Sequence, residues 1–426
     1  MQEIAHVISK FSSEPDPDYE LSLVQLLNAD VLADPHPLYH RIRSTDPVHW
    51  DVFLRSWVIT RYEDVLSIVK NLSAKRMPSA KELGEQGLGD FGAITSVLGR
   101  QMLFSDPPYH TRIRRLVSST FTPDRVAALS GYIRVTAEKL IARAIDRGEM
   151  EIVRDFAAPL PGLVIGAMLG VPEVDQPELN RWASDFAETF GNFTQDPKRT
   201  SEILHSCADM TNYFRDCIYR LRSIPNNGLI HAFVNAEIDG DRLTEDEVIA
   251  NAIGVLVGGQ ETATTLICTG LLTLLQHPEQ IEPLRQDATK MAPAIEELLR
   301  YNSPVQLTGR VVRKDFEIGG KLIRAGEPVI AVLAAANCDP VRFPGPDRLD
   351  LMRADNRHLA FGWATHFCLG AALSRLEMRI SLERLLRLPN LHLAPAGLKW
   401  RVHLVLRGLS SLPVTFDPGA EGAAVN

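Results

Sequence analysis

The sequence predicts an α+β fold that is mainly helical, with small β-sheets set apart from the helices. Helical periodicity dominates from about residue 124 to residue 301. Strand-like stretches occur before and after this region instead of alternating with its helices, which is typical of α+β proteins and not of doubly wound sheets. The 426 residues are 45% hydrophobic, as a large core requires, and we expect residues 1–426 to form a single domain.

The N-terminal part is predicted to contain a short hairpin followed by a long connection. Residues 52–54 and 58–60 are apolar runs that flank Arg55-Ser56, which is the pattern of two short antiparallel strands. Residues 75–100 contain five glycines and predict a mobile connection. From Tyr109 onward the apolar spacing becomes helical.

A long apolar helix is predicted from about residue 245 to residue 276. Thr244 and Glu247 have the spacing of a capping box at its start. Gly258-Gly259 in its middle cost about 1 kcal/mol each relative to alanine, so they require a physical reason. Helix–helix packing, close approach of another group and a local opening of the hydrogen-bond ladder all remain possible reasons.

Strands are predicted again near the C-terminus, at residues 311–318, 328–333 and 402–406. Between them, the prolines and glycine of residues 339–347 exclude a helix and predict a meandering loop. Residues 418–426 have the composition of a disordered tail.

Cys368 is the most informative cysteine, because it directly precedes a strongly patterned helix. The apolar residues of this helix fall on one face, whereas its charged residues are expected to point elsewhere. The apolar positions are Leu369, Leu373, Leu376 and Ile380, and the charged positions are Arg375, Glu377, Arg379 and Glu383. Free N–H groups at the amino end of a helix favour a thiolate over a thiol. Such a thiolate can be a nucleophile, a redox thiol or a metal ligand.

Two interpretations of this cysteine are weaker than the others. A zinc site would have to combine Cys338, His358, His366 and Cys368, of which only the last two are close in sequence, and no Cys-x-x-Cys occurs. A cysteine protease would leave the paired glycines of the long helix unexplained, and no protease signature accompanies Cys368.

Composition and charge exclude several classes of function. The net charge of −8 and the absence of basic clusters argue against nucleic acid as a partner. No run of 18 or more apolar residues predicts a membrane span, and the acidic N-terminus does not resemble a secretion signal. Five scattered cysteines are typical of a reducing compartment, so we expect a cytoplasmic protein.

Two further pairs of residues share a helix face. Glu297 and Arg300 are three apart, and His110 and Arg114 are four apart, so the first pair can form a salt bridge and the second can reach one anion. For an arbitrary sequence, a solvated surface pair is the commoner explanation of either spacing.

Phe361-Gly362-Trp363-Ala364-Thr365-His366-Phe367-Cys368-Leu369-Gly370 resembles the cysteine-ligand loop of the cytochrome P-450 family, the haem-thiolate monooxygenases. The family pattern is Phe-Gly-x-Gly-x-His-x-Cys-x-Gly, and this chain departs from it at Ala364. Because a glycine is expected where a Cβ is poorly tolerated, from positive φ or from crowding, we expect Ala364→Gly to change the reduction potential or haem retention.

The resemblance extends over roughly residues 30 to 410 and implies a P-450 fold, with a helix-rich lobe and smaller sheets, that holds haem b (iron protoporphyrin IX). It implies Cys368 as the axial ligand of the haem iron and Glu261 and Thr262 as the catalytic acid–alcohol pair that delivers protons. The other residues to which the family assigns a part are listed by that part: Gly258, Phe361 and Gly370 beside the haem, His110, Arg114, Arg310 and His366 at its propionates, and Glu297, Arg300 and Arg353 in a structural network.

The implied function is a monooxygenase that inserts one oxygen atom from O2 into an apolar small molecule, by hydroxylation or epoxidation, in natural-product (secondary) metabolism. Electrons would come from a ferredoxin and a ferredoxin reductase, and the substrate could be tethered to a carrier. The resemblance suggests a substrate-facing set at residues 75–100, 186–193 and 305–307 with Val255 and Gly258, and a basic docking face of Arg112, Arg115, Arg375 and Arg379. A peroxide-driven peroxygenase and a non-catalytic haem or carrier-recruitment module of the same fold remain as alternatives.

Overall fold

The structure, a computed structural model, describes residues 17–78, 80–85, 91–190, 197–221, 224, 226–395 and 397–419. Helices dominate this part of the chain, and the strands form small separate sheets. The predicted α+β, mainly helical class is therefore confirmed. Most of the predicted disordered tail, residues 420–426, lies outside the described residues.

The helices differ widely in length, and the longest lies near the middle of the chain. In chain order they are α1 (Pro17–Glu20), α2 (Ala29–Ala33), α3 (His36–Thr45), α4 (Tyr62–Asn71), α5 (Ala80–Glu85), α6 (Gly92–Arg100), α7 (Tyr109–Ser118), α8 (Pro123–Ala128), α9 (Ser130–Ala142), α10 (Pro159–Leu169), α11 (Gln176–Glu188), α12 (Pro197–Leu221), α13 (Leu229–Asn235), α14 (Glu245–Gln276), α15 (Ile281–Gln286), α16 (Met291–Tyr301), α17 (Leu333–Asn337) and α18 (Ala371–Leu385).

The strands are short, as small peripheral sheets require. They are β1 (Val48–Asp51), β2 (Ser56–Ile59), β3 (Glu149–Glu151), β4 (Glu237–Ile238), β5 (Asp241–Arg242), β6 (Thr308–Val311), β7 (Phe316–Ile318), β8 (Lys321–Ile323), β9 (Pro328–Ala331), β10 (His392–Leu393), β11 (Lys399–Arg401), β12 (Gly408–Ser411) and β13 (Pro413–Thr415). The largest described sheet has the order β1-β2-β9-β6, in which β2 and β9 are parallel and the other neighbours antiparallel.

The core forms around α14. This helix packs against α10, α11, α12 and α18, and most of its side chains are buried. Its start is the predicted capping box: Glu247 N–H donates to Thr244 Oγ1 at 3.3 Å, and Thr244 N–H donates to Glu247 Oε2 at 2.9 Å. A helix that is apolar on nearly all sides must lie inside the protein. The capping box and the paired glycines therefore belong to a buried helix and not to a surface helix.

Four predicted elements differ from the structure. The strand predicted at residues 311–318 is divided between the end of β6 and β7, and residues 312–315 belong to neither. The N-terminal hairpin exists, but residues 52–55 form its turn, because the first strand is Val48–Asp51. Residues 75–100 contain α5 and α6 instead of only a connection, while residues 79 and 86–90 lie outside the described residues. Residues 402–406 are not a strand: they join β11 to β12, whose antiparallel pairing comes from the residues on either side.

The meandering loop is where it was predicted. Residues 339–347 contain neither helix nor strand, and the described chain continues to Cys368 without a strand or an α-helix, with one short 3-10 helix at Ala364–His366. Within the described residues, no helix is long and apolar enough to cross a membrane.

Candidate functional site

The loop that carries Cys368 makes two left-handed turns before α18 begins. Gly362 has φ +70° and Ala364 has φ +52°. The loop is closed by backbone hydrogen bonds from Gly362 N–H to Leu359 O at 2.8 Å and from Cys368 N–H to Phe361 O at 2.9 Å. The loop thus fixes the sulfur at the amino end of α18, as the sequence predicted.

Ala364 adopts a backbone conformation that glycine would adopt without strain. An L-residue in this left-handed region carries a steric cost of about 1–2 kcal/mol. Of the two reasons considered for a glycine at this position, positive φ is therefore the one that the structure supports. At nearby Gly370 neither reason applies within the protein itself, since a Cβ there would lie 4.0 Å from Cys368 Sγ, an ordinary van der Waals distance, and φ is not positive.

The electrostatic surroundings of Cys368 are mixed. Burial raises the pKa of the Cys368 thiol, whereas the Gly370 N–H group and the charges of Arg114 and Arg375 lower it. The expectation that the helix terminus favours a thiolate is therefore incomplete. In the protein alone, burial raises the pKa of the thiol by more than the N–H group and the two arginines lower it. A bound metal cation reverses that balance, since a coordinating thiol loses its proton.

Part of the wall of the cavity that Cys368 lines belongs to α14. Thr262 and Gly258 line the same cavity as Cys368. A Cβ on Gly258 would meet nothing within 4 Å, whereas a Cβ on Gly259 would lie 3.0 Å from Ile165 Cδ1. The two glycines thus have different reasons: Gly259 permits helix–helix packing, and Gly258 leaves space in the cavity.

The hydrogen-bond ladder of α14 is not opened at this point. The helix is continuous from Glu245 to Gln276, and Thr262 Oγ1 donates to Gly258 O at 2.6 Å. A local opening of the ladder, one of the reasons considered for the glycines, is therefore absent, and the threonine hydroxyl bonds back to its own helix.

Glu261 lies on a different side of α14 from Thr262. Its Oε1 accepts from Ser184 Oγ at 2.6 Å and its Oε2 accepts from Arg401 Nη1 at 2.6 Å, which ties α14 to α11 and β11. The carboxylate is buried and is not among the groups that line the cavity. The structure therefore does not bring together the predicted acid and alcohol as neighbours in one cavity.

Four predicted basic residues gather at one end of the cavity. His110, Arg114, Arg310 and His366 all line it, and the rings of the two histidines are 4.4 Å apart between centroids. Arg114 Nη2 donates to Phe367 O at 2.9 Å. Burial, with His110 and Arg310 nearby, lowers the pKa of His366 to about 3, so this ring is neutral near pH 7.

Several buried polar atoms in this basic group have no partner. Both ring nitrogens of His110 lack a hydrogen bond although the residue is only 1% exposed, and so does Arg310 Nε in a residue that is 5% exposed. Unpaired buried polar atoms are costly, so they point to an acceptor that binds there. The carboxylates of a haem are acceptors of this kind, Cys368 is a suitable soft ligand for iron, and Gly258 leaves room in the same cavity. The residues present therefore fit a haem-thiolate site.

The aromatic residue of the loop, Phe361, packs beside the cysteine. Its ring lies 4.5 Å from Arg375 Cζ, and Arg375 in turn pairs with Glu296 through bonds of 2.6 and 2.8 Å. Although burial alone would raise it, these bonds and that of His358 lower the pKa of Glu296 to about 2.

The predicted structural network is assembled around Glu297. Arg300 donates to both of its carboxylate oxygens at 2.8 Å, and Arg353 Nε donates at 3.1 Å. The side chains of Glu297 and Arg300 are 0% exposed. Arg300 Nη2 also donates to Pro346 O at 2.9 Å and Arg353 Nη1 to Pro344 O at 3.0 Å, so the network holds the meandering loop against α16.

The predicted substrate-facing residues divide into two groups. Val255, Gly258 and Val305 line the cavity. Phe186 is instead core, being 1% exposed and packed edge-to-face on Phe190. The rest of residues 186–193, from residue 191 onward, lies outside the described residues.

One residue of the cavity lining was missed from the sequence, because it was expected on the wrong face of its helix. Glu377 was expected to point away from the apolar face of α18, but it is 2% exposed and lines the cavity. Burial raises the pKa of Glu377 to about 8. Its spacing of four from Leu373 and three from Ile380, both buried, is the signal that would have placed it on the buried face.

The four arginines predicted as a docking face are all neutralised by neighbours. Each forms an ion pair, and the pairs are Arg112 with Asp241 and Glu247, Arg115 with Asp239, Arg375 with Glu296, and Arg379 with Glu383. Within the described part of the chain, no group of three or more His, Cys, Asp or Glu side chains is placed so that it could hold a metal ion.

Comparison with known proteins bears on the same residues. A family profile described as Cytochrome P450 matches residues 89–403. The biotin biosynthesis cytochrome P450 of Bacillus subtilis is 36% identical over 393 residues, which are 92% of this chain and 98% of the relative. The 6-deoxyerythronolide B hydroxylase of Saccharopolyspora erythraea is 35% identical over 395 residues, covering 90% and 96% of the two chains.

Solved structures agree with these relatives. A crystal structure of P450BioI in complex with a hexadec-9Z-enoic acid ligated acyl carrier protein superposes with a TM-score of 0.84 at 35% identity, covering 91% of this chain and 99% of the other. CalO2 superposes with a TM-score of 0.84 at 30% identity, covering 92% and 98%.

Proposed function

The chain belongs to the cytochrome P450 family of haem-thiolate monooxygenases, and from this premise we propose that it inserts one oxygen atom of O2 into an apolar small molecule by hydroxylation or epoxidation. The observation that carries the proposal is one cavity that is lined by Cys368, by Thr262 and Gly258 of α14, and by basic residues with unpaired buried atoms.

The cofactor of the proposal is haem b. Cys368 would hold the iron, while His110, Arg114, Arg310 and His366 would hold the carboxylates at the basic end. When bound, the haem supplies oxygen activation, which a thiolate ligand promotes by donating electron density.

Thr262 is a hydroxyl residue in the lining of the same cavity as the sulfur, where it can handle a proton. Its hydroxyl donates to Gly258 O at 2.6 Å, which leaves the oxygen lone pairs free to accept from a water in the cavity. Through such a water, Thr262 would hold a proton beside the reacting oxygen.

Glu261 would act as the proton source behind this hydroxyl. Its carboxylate is held by Ser184 and Arg401, away from the cavity, so proton supply requires it to exchange these partners for water. Arg401 is 34% exposed, which gives the pair a route to solvent.

The substrate is proposed to be an intermediate of natural-product metabolism. Relatives of 34–36% identity include enzymes named for biotin and polyketide biosynthesis. Because P450BioI has been solved with an acyl carrier protein, a carrier-tethered acyl chain is a substrate form to be tested beside the free acid. Electrons are proposed to come from a ferredoxin and its reductase.

The test is an isotope experiment with the purified holoenzyme, a ferredoxin and its reductase, and candidate substrates as free and carrier-bound forms. With ¹⁸O2 we expect one labelled oxygen in the product, and with Thr262→Ala we expect reductant to be consumed mostly without product. Label from water, or product that forms with hydrogen peroxide but not with reductant and O2, would contradict the proposal and favour a peroxygenase. Tight binding of every substrate form without turnover would favour a recruitment module.

A further inference from the structure

One more arginine, Arg76, lies beside the basic end of the cavity. The stem of Arg76 lies against β6, where a Cβ on Gly309 would be 3.2 Å from Arg76 Cδ and 3.3 Å from its Nε. Its guanidinium stacks on the ring of Phe104 with 4.4 Å between Cζ and the ring centroid. Glycine at position 309 thus makes the space that this arginine occupies next to Arg310.

Among the residues that the structure describes, Arg76 has no carboxylate as a counter-charge. Its side chain donates to Ala74 O at 3.2 Å, and no carboxylate in the described residues lies within ion-pair distance of it. Asp106, whose charge acts on Arg310, is already engaged by Ser73 Oγ and by the Ala74 N–H at 2.8 Å. Burial and the neighbouring Arg310 lower the pKa of Arg76 to about 9, as expected for two cations that face each other unpaired.

The basic end therefore contains more donors than partners. Arg310 Nε and both ring nitrogens of His110 are buried without a hydrogen bond, in residues at most 5% exposed. A guanidinium keeps its positive charge near pH 7, so a further arginine at this end can supply part of the charge that two haem carboxylates require.

We propose that Arg76 binds a carboxylate of the haem and is a further cofactor-binding residue of this chain. The inference rests on the proposed haem site. A planar guanidinium can donate two parallel hydrogen bonds to a carboxylate, and the Phe104 ring holds that plane in a fixed orientation. With Arg76 neutralised by an anion, the repulsion between it and Arg310 becomes an attraction of both toward the same ligand.

The position of Arg76 favours the haem carboxylates over a substrate anion. Its charge acts on Arg310 and on His366, which are both at the basic end. Thr262 and Val255, which mark the proposed substrate side of the cavity, are on α14, whereas the contacts of Arg76 described above are with Gly309, Phe104 and Ala74.

Two substitutions in the holoenzyme test the proposal. Arg76→Met keeps the stem against Gly309 and Phe104 but removes the charge, and Arg76→Lys keeps the charge but not the planar donor pair. We expect Arg76→Met to transfer haem to apomyoglobin about tenfold or more faster, as the loss of a charge-assisted bond implies. Its midpoint potential should become more negative, because a positive charge beside the haem is lost. Arg76→Lys should keep most of the potential and release haem at an intermediate rate.

The matched control is Arg313→Met. Arg313 is an exposed arginine of the same neighbourhood whose Nη2 donates to Lys75 O at 2.6 Å, and its substitution should change neither measurement. Wild-type haem release and potential in Arg76→Met would overturn the proposal. So would unchanged haem release combined with weaker binding of an acidic ligand, which would assign Arg76 to substrate. Faster release with an unchanged potential and an equal loss of thermal stability in the Met and Lys variants would assign it to folding alone.

The two proposals fail in distinguishable ways. If the function is wrong, the wild-type protein itself lacks a haem-thiolate spectrum or product formation. If only the inference about Arg76 is wrong, the wild type retains both, and Arg76→Met resembles it.

Discussion

At the scale of single residues, the backbone of Ala364 is the clearest departure from what glycine would allow. Its φ of +52° is held by the turn that Gly362 begins at φ +70° and by the bond from Phe367 N–H to Ala364 O at 3.0 Å. A non-glycine residue keeps such a conformation only where the surrounding structure over-determines it. The cysteine loop of this chain therefore stores strain beside the residue that it positions.

Ala364→Gly should relieve that strain. Because glycine also gains freedom in the unfolded chain, we expect the free energy of unfolding to rise by about 1 kcal/mol at most, measured by urea denaturation of the holoenzyme. Haem release should slow in parallel. Ala360→Gly, a buried alanine of the same loop without positive φ, is the control and should be destabilised. Equal destabilisation of the two variants would show that position 364 is not strained.

Glu377 gives a prediction about pH. Burial raises its pKa from 4.5 to about 8, so the folded protein favours the protonated carboxyl. A raised pKa means that this contribution to stability is complete below about pH 4.5 and is lost as the pH rises through 8. Glu377→Gln removes the titration, so its stability relative to the wild type should be higher at pH 8 than at pH 5. Urea unfolding at both pH values measures this, and a difference that does not change with pH would contradict it.

Residue chemistry was predictable from the sequence where it is local. The Cys368 loop and the capping box of Thr244 and Glu247 are determined by spacing within a few residues. The partner of Glu261 was not predictable, because Arg401 is 140 positions away and only the fold brings the two together. The position of Arg76 was not predictable either, because it depends on contacts with Phe104 and with Gly309 of β6.

At the scale of elements, α14 combines two faces that meet different surroundings. Gly259 faces α10 through Ile165, whereas Gly258 faces the cavity and has open space where a Cβ would lie. Adjacent positions on a helix are about 100° apart, so one helix can pack tightly and line a cavity within a single turn. The sequence indicated that the glycines needed a reason but could not assign a separate reason to each.

The same substitution at the two glycines should therefore have opposite consequences. Gly259→Leu forces its side chain into Ile165 and should lower the free energy of unfolding by about 1–3 kcal/mol. Gly258→Leu should unfold no more easily than wild type but should weaken substrate binding and reduce haem content, because it fills the cavity. Urea denaturation and haem absorbance separate the two effects. A reversed order of stability would contradict the assignment of the two faces.

At the scale of the whole molecule, the Glu297 network determines how the meandering loop and hence the cysteine loop are held. Hydrogen bonds of Arg300, Arg353 and Asn356 join α16 to residues 344–356. The Glu297 side chain at the centre of the network is 0% exposed. A charge pair this deeply buried contributes less by its attraction than by the cost of leaving one partner alone.

Glu297→Gln should accordingly lower the free energy of unfolding by about 3–5 kcal/mol, because Arg300 then keeps a buried charge without a carboxylate. Haem should be released faster as the meandering loop loosens. Glu282→Gln removes an exposed pair with Arg285 of similar spacing and should change stability by less than about 1 kcal/mol. Similar small effects of both substitutions would show that the network does not hold the loop.

The large-scale organisation was predictable only in part. The order of the motifs along the chain predicted the fold class, the long central helix and the meandering loop. The order of strands in the largest sheet was not predictable, since β2 pairs in parallel with β9, Trp57 opposite Val329, across most of the chain. The prediction of a strand at residues 402–406 was wrong. These residues connect β11 to β12, and their apolar side chains Leu404 and Leu406 are buried in the core.

The central claim is that the Cys368 sulfur binds the haem iron as a thiolate, and the carbon monoxide difference spectrum of the reduced protein tests it most directly. The wild type should show a thiolate-type Soret band, and Cys368→Ser should lose it. An imidazole-type band in the wild type, or a thiolate-type band that persists in Cys368→Ser, would contradict it.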